Sequence, residues 1–240
     1  MKQFSKVLVA SAMIMSAPMV QADSPHEFSA NVALSTDYLF RGISQTNGNP
    51  ALSGGFDYSY APVGVYAGVW ASNVEFGDDS TLEIDFYGGI AGDFGNGVGW
   101  DIGGLYYHYP ASDASDIDYF EAYGSLGYTF EGISLEPSVG VTVSYSPDWT
   151  LTPGMDSDAI YINPTLDLSL PMNFGLGFSY GYQDVDDLGD YSHLDITLSK
   201  AVSIFELALT YSNKFSEGDF CAGLGDLCDD TAVFTISSSF

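Results

Sequence analysis

Basic side chains are almost missing from this sequence: five Lys and Arg stand against 32 Asp and Glu, for a formal net charge of −27. A polyanion gives up its counterions only to a cationic surface, so nucleic acid is excluded as a partner. Cysteine is confined to Cys221 and Cys228, which lie in one polar stretch. An oxidising compartment favours a local disulfide there, and redox catalysis would need a closer, activated pair. Histidine is limited to His26, His108 and His193. Ser192 and His193 are adjacent, so on a strand they point to opposite faces and do not readily form a nucleophile–base pair with each other, although a Ser or Asp on a neighbouring strand could reach His193. Beyond residue 22 nothing approaches the roughly 18 uninterrupted apolar residues of a transmembrane helix.

What is present points to a folded β protein. Such an acid excess usually marks a disordered chain, yet the composition is 46% hydrophobic and 15% aromatic, with 17 Tyr and 16 Phe. The first 22 residues read as a cleaved secretory signal peptide, with Lys2 and Lys6, an apolar core from Val7 to Met15, and a small-residue end at Val20-Gln21-Ala22. The expected mature domain is 23–240, with Arg41, Lys200 and Lys214 as its basic residues.

Polarity alternates with a period of two. Phe28, Ala30, Val32, Leu34, Tyr38 and Phe40 oppose Ser29, Asn31, Ala33, Ser35 and Asp37. Leu135, Pro137, Val139, Val141, Val143 and Tyr145 oppose Ser134, Glu136, Ser138, Thr142 and Ser144, and residues 160–170 repeat the pattern. The same period gives segments near 51–60, 64–72, 82–90, 99–109, 119–130, 174–182, 192–199, 204–213 and 232–240, twelve in all. Facing is ambiguous in 64–72 and 99–109, where Tyr66, Trp70 and Leu105 sit against the alternation.

Long polar connections at 41–50, 73–81, 110–118, 146–158, 183–191 and 214–231 alternate with tight links at 61–63, 131–133, 171–173 and 200–203. The link at 91–98 is longer than that rule expects. Alternating long loops and short turns, with an even strand count, belong to an up-and-down antiparallel transmembrane β-barrel with both termini in the periplasm. A secreted soluble β-sandwich or small-ligand barrel has its apolar face inward instead, and alternation alone does not distinguish the two.

The stretch Asn31-Val-Ala-Leu-Ser-Thr-Asp-Tyr-Leu-Phe-Arg-Gly-Ile-Ser-Gln, with Gly54-Gly-Phe-Asp-Tyr, Gly64-Val-Tyr-Ala-Gly-Val-Trp-Ala-Ser-Asn-Val and Glu83-Ile-Asp-Phe-Tyr-Gly-Gly, resembles the TorF family of porins, a Gcw_chp-type group. The resemblance is sharpest over 28–92. It implies a small outer-membrane barrel and supplies no catalytic residues. The end of the chain, Phe234, Ile236 and Phe240, resembles the terminal signal read by the barrel-assembly machinery, with Ser238 departing from the usual bulky residue.

Inside such a barrel Asp37, Asp57, Glu83, Asp85, Asp101, Glu121, Glu136, Asp167, Asp195 and Glu206 would line the lumen. Dry burial of so many carboxylates would cost several kcal/mol each, so a hydrated, cation-attracting interior is expected. Arg41, the only arginine, would pair with lumen carboxylates or stand as a solvated charge at the first external loop. Asp184, Asp186, Asp187 and Asp190 lack the full ligand spacing of a calcium loop, so no metal and no cofactor are expected.

The expected function is passive passage of small cations or small polar solutes across the bacterial outer membrane. The expected partners are outer-membrane lipid, the barrel-assembly machinery and periplasmic chaperones. The rival readings are a structural or adhesive barrel plugged by its own Tyr and Phe side chains, and an outer-membrane hydrolase.

Overall fold

A computed structural model describes residues 24–76, 79–110, 117–150, 157–186, 188–215, 219–222 and 224–240. The expected signal peptide lies outside them, as do Asp78, Asp113, Asp116, Asp156 and Asp187, acids of the long connections expected to face outward.

Among the described residues twelve strands close into one antiparallel barrel. They are β1 (His26–Ser35), β4 (Ala51–Tyr60), β5 (Val65–Asn73), β6 (Leu82–Asp93), β7 (Val98–His108), β8 (Tyr119–Thr129), β9 (Ser138–Trp149), β10 (Ser157–Leu170), β11 (Phe174–Val185), β12 (Gly189–Val202), β13 (Phe205–Lys214) and β14 (Thr231–Ser239). Each pairs with its sequence neighbour in the barrel, and β1 closes the ring on β14, with Asn31 opposite Ser239 and Ser35 opposite Thr235. Two further strands, β2 (Leu39–Phe40) and β3 (Ile43–Ser44), form a small separate ribbon.

The side chains are inside out for a water-soluble protein. Phe56, Phe86 and Leu209 are 51%, 50% and 51% exposed, whereas Glu83, Asp85 and Glu121 are 2%, 3% and 3% exposed. On β9, Val139, Val141, Val143 and Tyr145 face out and Thr142, Ser144 and Ser146 face in. A belt of this kind buries its apolar surface only in lipid, and closure leaves no unpaired edge to face the hydrocarbon. Strands run from nine residues in β5 and β14 to fourteen in β10 and β12, enough to cross at a tilt. This is the transmembrane up-and-down barrel with its apolar face outward.

Four details differ from the sequence pattern. β1 ends at Ser35, and Tyr38 and Phe40 lie in the ribbon segment, packed against the interior cluster and off the outer face. The 91–98 link shrinks to residues 94–97, because β6 runs to Asp93 and Gly95 and Gly97 take positive φ. The 183–191 connection shrinks to residues 186–188 as β11 and β12 lengthen. Glu136 is not on the lumen wall: β9 starts at Ser138, and Leu135 and Glu136 take left-handed φ of 69° and 40° in the preceding turn, where Glu136 is exposed.

The ambiguous strands resolve cleanly. Tyr66, Trp70 and Leu105 face inward with no bulge, since Tyr66 pairs across from Gly89, Trp70 from Asp85 and Leu105 from Tyr87 and Glu121. The start of β1 and the end of β14 share one end of the barrel with the connections after β4, β6, β8, β10 and β12, of which the expected tight link at 131–133 lengthens to 130–137; the other six connections, 186–188 the short one among them, share the opposite end.

Candidate functional site

The loop end of the barrel is filled from within. Residues 36–50 turn into the mouth, and the β2–β3 ribbon reverses at Arg41-Gly42, both at positive φ, 51° and 80°. Two central residues with positive φ make the tight hairpin turn whose twist matches paired strands. Gly42 is required there on a second ground, since a Cβ would sit 2.9 Å from His193 Cβ and Cγ. The segment is clipped by Asp37, whose Oδ1 accepts from the Ser44 and Thr46 hydroxyls, each at 2.8 Å.

This hairpin carries Arg41 into the interior. One guanidinium nitrogen, Nη2, is ion-paired with Glu121 on β8, and Nη1 donates to Gln183 Oε1 on β11 at 2.6 Å. The guanidinium carbon lies 4.1 Å from the Tyr161 ring centre and 4.7 Å from that of Phe40, in cation–π contact with both. Burial opposes its charge, but Glu121, with Tyr107, Tyr119 and Tyr161 around it, outweighs burial and holds the group above its ordinary pKa. Arg41 thereby ties β8 to β11, three places along the wall.

Carboxylates outnumber that cation. Glu83 accepts from Tyr38 at 2.7 Å and Tyr109 at 2.8 Å, and burial together with Glu83 and Asp85 pushes the Tyr38 hydroxyl well above its usual pKa. Asp85 lies within electrostatic reach of Glu83 and Glu121, and its Oδ1 has no hydrogen-bond partner among the described residues. Around these polar groups Ile43, Tyr107, Tyr109, Tyr119, Trp149, Tyr191 and Phe220 form an apolar cluster across the mouth. Phe220 comes from helix α1 (Asp219–Ala222) in the last loop and stacks on Tyr191 at 4.8 Å. Cys221 and Cys228 beside it are joined in a disulfide, Cα atoms 5.8 Å apart.

Below this layer the remaining candidates are spread along the wall. Asp57 accepts from Tyr87. Asp101 accepts from Tyr66 at 2.7 Å, and Tyr66 meets the Tyr123 hydroxyl. Asp195 Oδ2 is 3.3 Å from His193 Nδ1. Asp167 faces inward opposite Gly177, half-buried, and Glu206 sits half-buried near the start of β13. The structure therefore gathers Arg41, Glu83, Asp85 and Glu121, leaves Asp57, Asp101, Asp167, Asp195 and Glu206 as separate wall groups, uses Asp37 inside the loop and sends Glu136 to a turn.

Gln183, Tyr161 and His193 complete the site; none was among the lumen candidates read from the sequence, where His193 figured only as a candidate base. His193 is buried, and its Nε2 meets the Tyr161 hydroxyl at 2.9 Å; Ser192 lies on the outer face, taking a hydrogen bond from Tyr180 at 2.9 Å. The available signal was Arg-Gly flanked by Leu-Phe and Ile-Ser, a two-residue hairpin that projects its arginine. At the far end, Phe234, Ile236 and Phe240 face outward, and the Ser238 hydroxyl donates to the Ile204 carbonyl at 2.8 Å.

The architecture has close parallels among solved structures. The KdgM porin superposes with a TM-score of 0.59 at 7% identity, covering 88% of this chain and 98% of its own. The NanC porin gives 0.57 at 10%, covering 88% and 98%, and LpxR from Salmonella typhimurium 0.50 at 10%, covering 88% and 99%. At such identities these likenesses establish the porin-like fold. No curated protein matches the chain in sequence. The family model described as a bacterial protein of unknown function, Gcw_chp, matches residues 19–240, the whole barrel and both segments that build the mouth. The chain belongs to the Gcw_chp family.

Proposed function

We propose that this protein is an outer-membrane porin of the TorF type, exported by its first 22 residues, that passes small solutes or ions by diffusion with a weak cation preference and catalyses nothing. The carrying observation is the inverted barrel: an apolar outer belt encloses a wall bearing Asp57, Glu83, Asp85, Asp101, Glu121, Asp167, Asp195 and Glu206 against a single buried arginine. Fixed negative charge in a low-dielectric wall raises the local concentration of cations and repels anions. The long loops then face outward from the cell and both termini lie in the periplasm. The fold shared with the KdgM and NanC porins supports the same reading.

The outward row Phe234, Ile236 and Phe240 fits recognition by the barrel-assembly machinery after delivery by periplasmic chaperones, with outer-membrane lipid as the final surroundings. A passive role is further supported by His193, whose Nε2 faces a phenol and not an aliphatic hydroxyl that it could activate.

One observation favours a second reading. The aromatic cluster across the mouth would suit a permanently plugged barrel with a structural or adhesive role. Purified protein in planar bilayers under a KCl gradient separates the two. A porin gives discrete steps and a reversal potential on the cation side. Silence at every voltage, in wild type and in a variant lacking residues 38–48, leaves the plugged barrel. Lipid or peptide hydrolysis lost in His193→Ala would overturn the non-catalytic reading.

A further inference from the structure

We propose that the cage around the Arg41 guanidinium is a subsite for organic cations, solutes bearing a guanidinium or ammonium group, and that Arg41 occupies it as a tethered stand-in. The inference rests on the porin reading for its biological setting and names the solute class that this lumen takes.

The cage has the chemistry that recognises such groups. A carboxylate, Glu121, and an amide oxygen, Gln183 Oε1, accept from two edges of the planar cation, while the Tyr161 ring of the wall covers it and the hairpin's own Phe40 adds a second ring as long as the hairpin stays in place. A bare alkali ion would use the carboxylate and gain little from the rings or the forked acceptors. The fit is closest for a flat, delocalised guanidinium, and an ammonium uses the same carboxylate and ring with fewer of the forked contacts.

Two further observations mark the site as incompletely satisfied by Arg41. Asp85 is 3% exposed, and its Oδ1 has no hydrogen-bond partner among the described residues. Buried carboxyl groups are normally paired or hydrogen-bonded, and with Glu83 and Glu121 nearby this mouth gathers three of them around one arginine. A solute with a second donor group would find Asp85 waiting.

The occupant can also leave. β2 and β3 pair with each other and stand outside the barrel ladder, so the hairpin can withdraw without breaking a wall strand. An incoming cation that takes Glu121 and Tyr161 competes directly with Arg41, coupling binding to opening of the mouth.

The test uses agmatine, which carries one guanidinium and one ammonium, on the whole barrel. In planar bilayers Arg41→Ala should conduct at least twofold more than wild type. Agmatine at 10 mM should cut that current at least fivefold, whereas butylurea, planar but uncharged, or equal NaCl should not. Saturation-transfer NMR on detergent-solubilised Arg41→Ala should show agmatine bound, and binding should fall at least tenfold in Arg41→Ala with Glu121→Gln. Arg41→Gln provides the same readouts if the alanine variant loses its heat-modifiable gel mobility. Agmatine binding in a barrel that never conducts would keep the subsite and overturn the porin reading. Conductance unaffected by agmatine, with no bound signal in either variant, would overturn the subsite.

Discussion

The ring of Tyr87 occupies the space that a side chain at Gly68 would fill: a Cβ built there meets Tyr87 Cε2, Cζ and the hydroxyl at 2.5 Å. The arrangement recurs on neighbouring strands, with Tyr66 over Gly89 and Tyr123 over Gly103. Large rings thus lie along the inner wall instead of projecting across it, and their hydroxyls reach Asp57 and Asp101. Glycine in a strand normally weakens it, and here its missing side chain makes room for the neighbouring ring against the wall.

Gly68→Val should therefore drive Tyr87 off the wall. The overpacking costs about 1–3 kcal/mol by analogy with filled protein cores, and the displaced ring narrows the passage. Urea unfolding in detergent should show that loss, and bilayer recordings should show smaller current steps. A conductance equal to wild type would mean that Tyr87 does not border the conducting path.

Reducing the Cys221–Cys228 disulfide should loosen the lid and leave the barrel intact. The closed loop is short, with seven residues of separation, so its contribution is about 2.5 kcal/mol and acts locally. Phe220 is held next to that loop and seats on Tyr191 and Trp149. The expected outcome is an unchanged thermal midpoint by circular dichroism with a higher open probability after addition of a reductant, an effect absent in the Cys221→Ser, Cys228→Ser double variant.

Charge placed on the two faces of one strand should behave oppositely. Leu209, mid-strand on β13, is 51% exposed on the outer face and Thr210 points inward. Leu209→Arg should cost about 2–4 kcal/mol near the bilayer midplane, as lipid-facing charges do in such barrels. Thr210→Lys should change stability by less than about 1 kcal/mol and shift the reversal potential toward anions. Folding titrations into lipid vesicles measure the first, bilayer recordings the second.

Much of the wall was legible because lipid enforces a strict alternation on one face. Val139, Val141 and Val143 against Thr142 and Ser144 declare β9 without help from the rest of the chain. The mouth was not legible. Tyr38 and Phe40 continue the alternation of β1, and only contacts distant in sequence, Tyr38 with Glu83 and Arg41 with Gln183, turn that segment inward. Glu136 misled for a similar reason: its parity matches β9, but parity does not reveal that the backbone is still turning. Tyr66 and Trp70 looked misplaced because an inward aromatic is acceptable only where the wall beside it makes room, and Gly89 is read only once strand register is known.

The central claim is that the inward face is in contact with enclosed water while the outward face is in lipid. Single cysteines at Ile196, Thr197, Leu198 and Ser199 on β12, in liposome-embedded protein, test it with a charged, water-soluble methanethiosulfonate reagent. Positions 197 and 199 should react, and 196 and 198 should stay protected until detergent is added. Labelling of 196 and 198 with protection of 197 and 199 would contradict the whole assignment of faces.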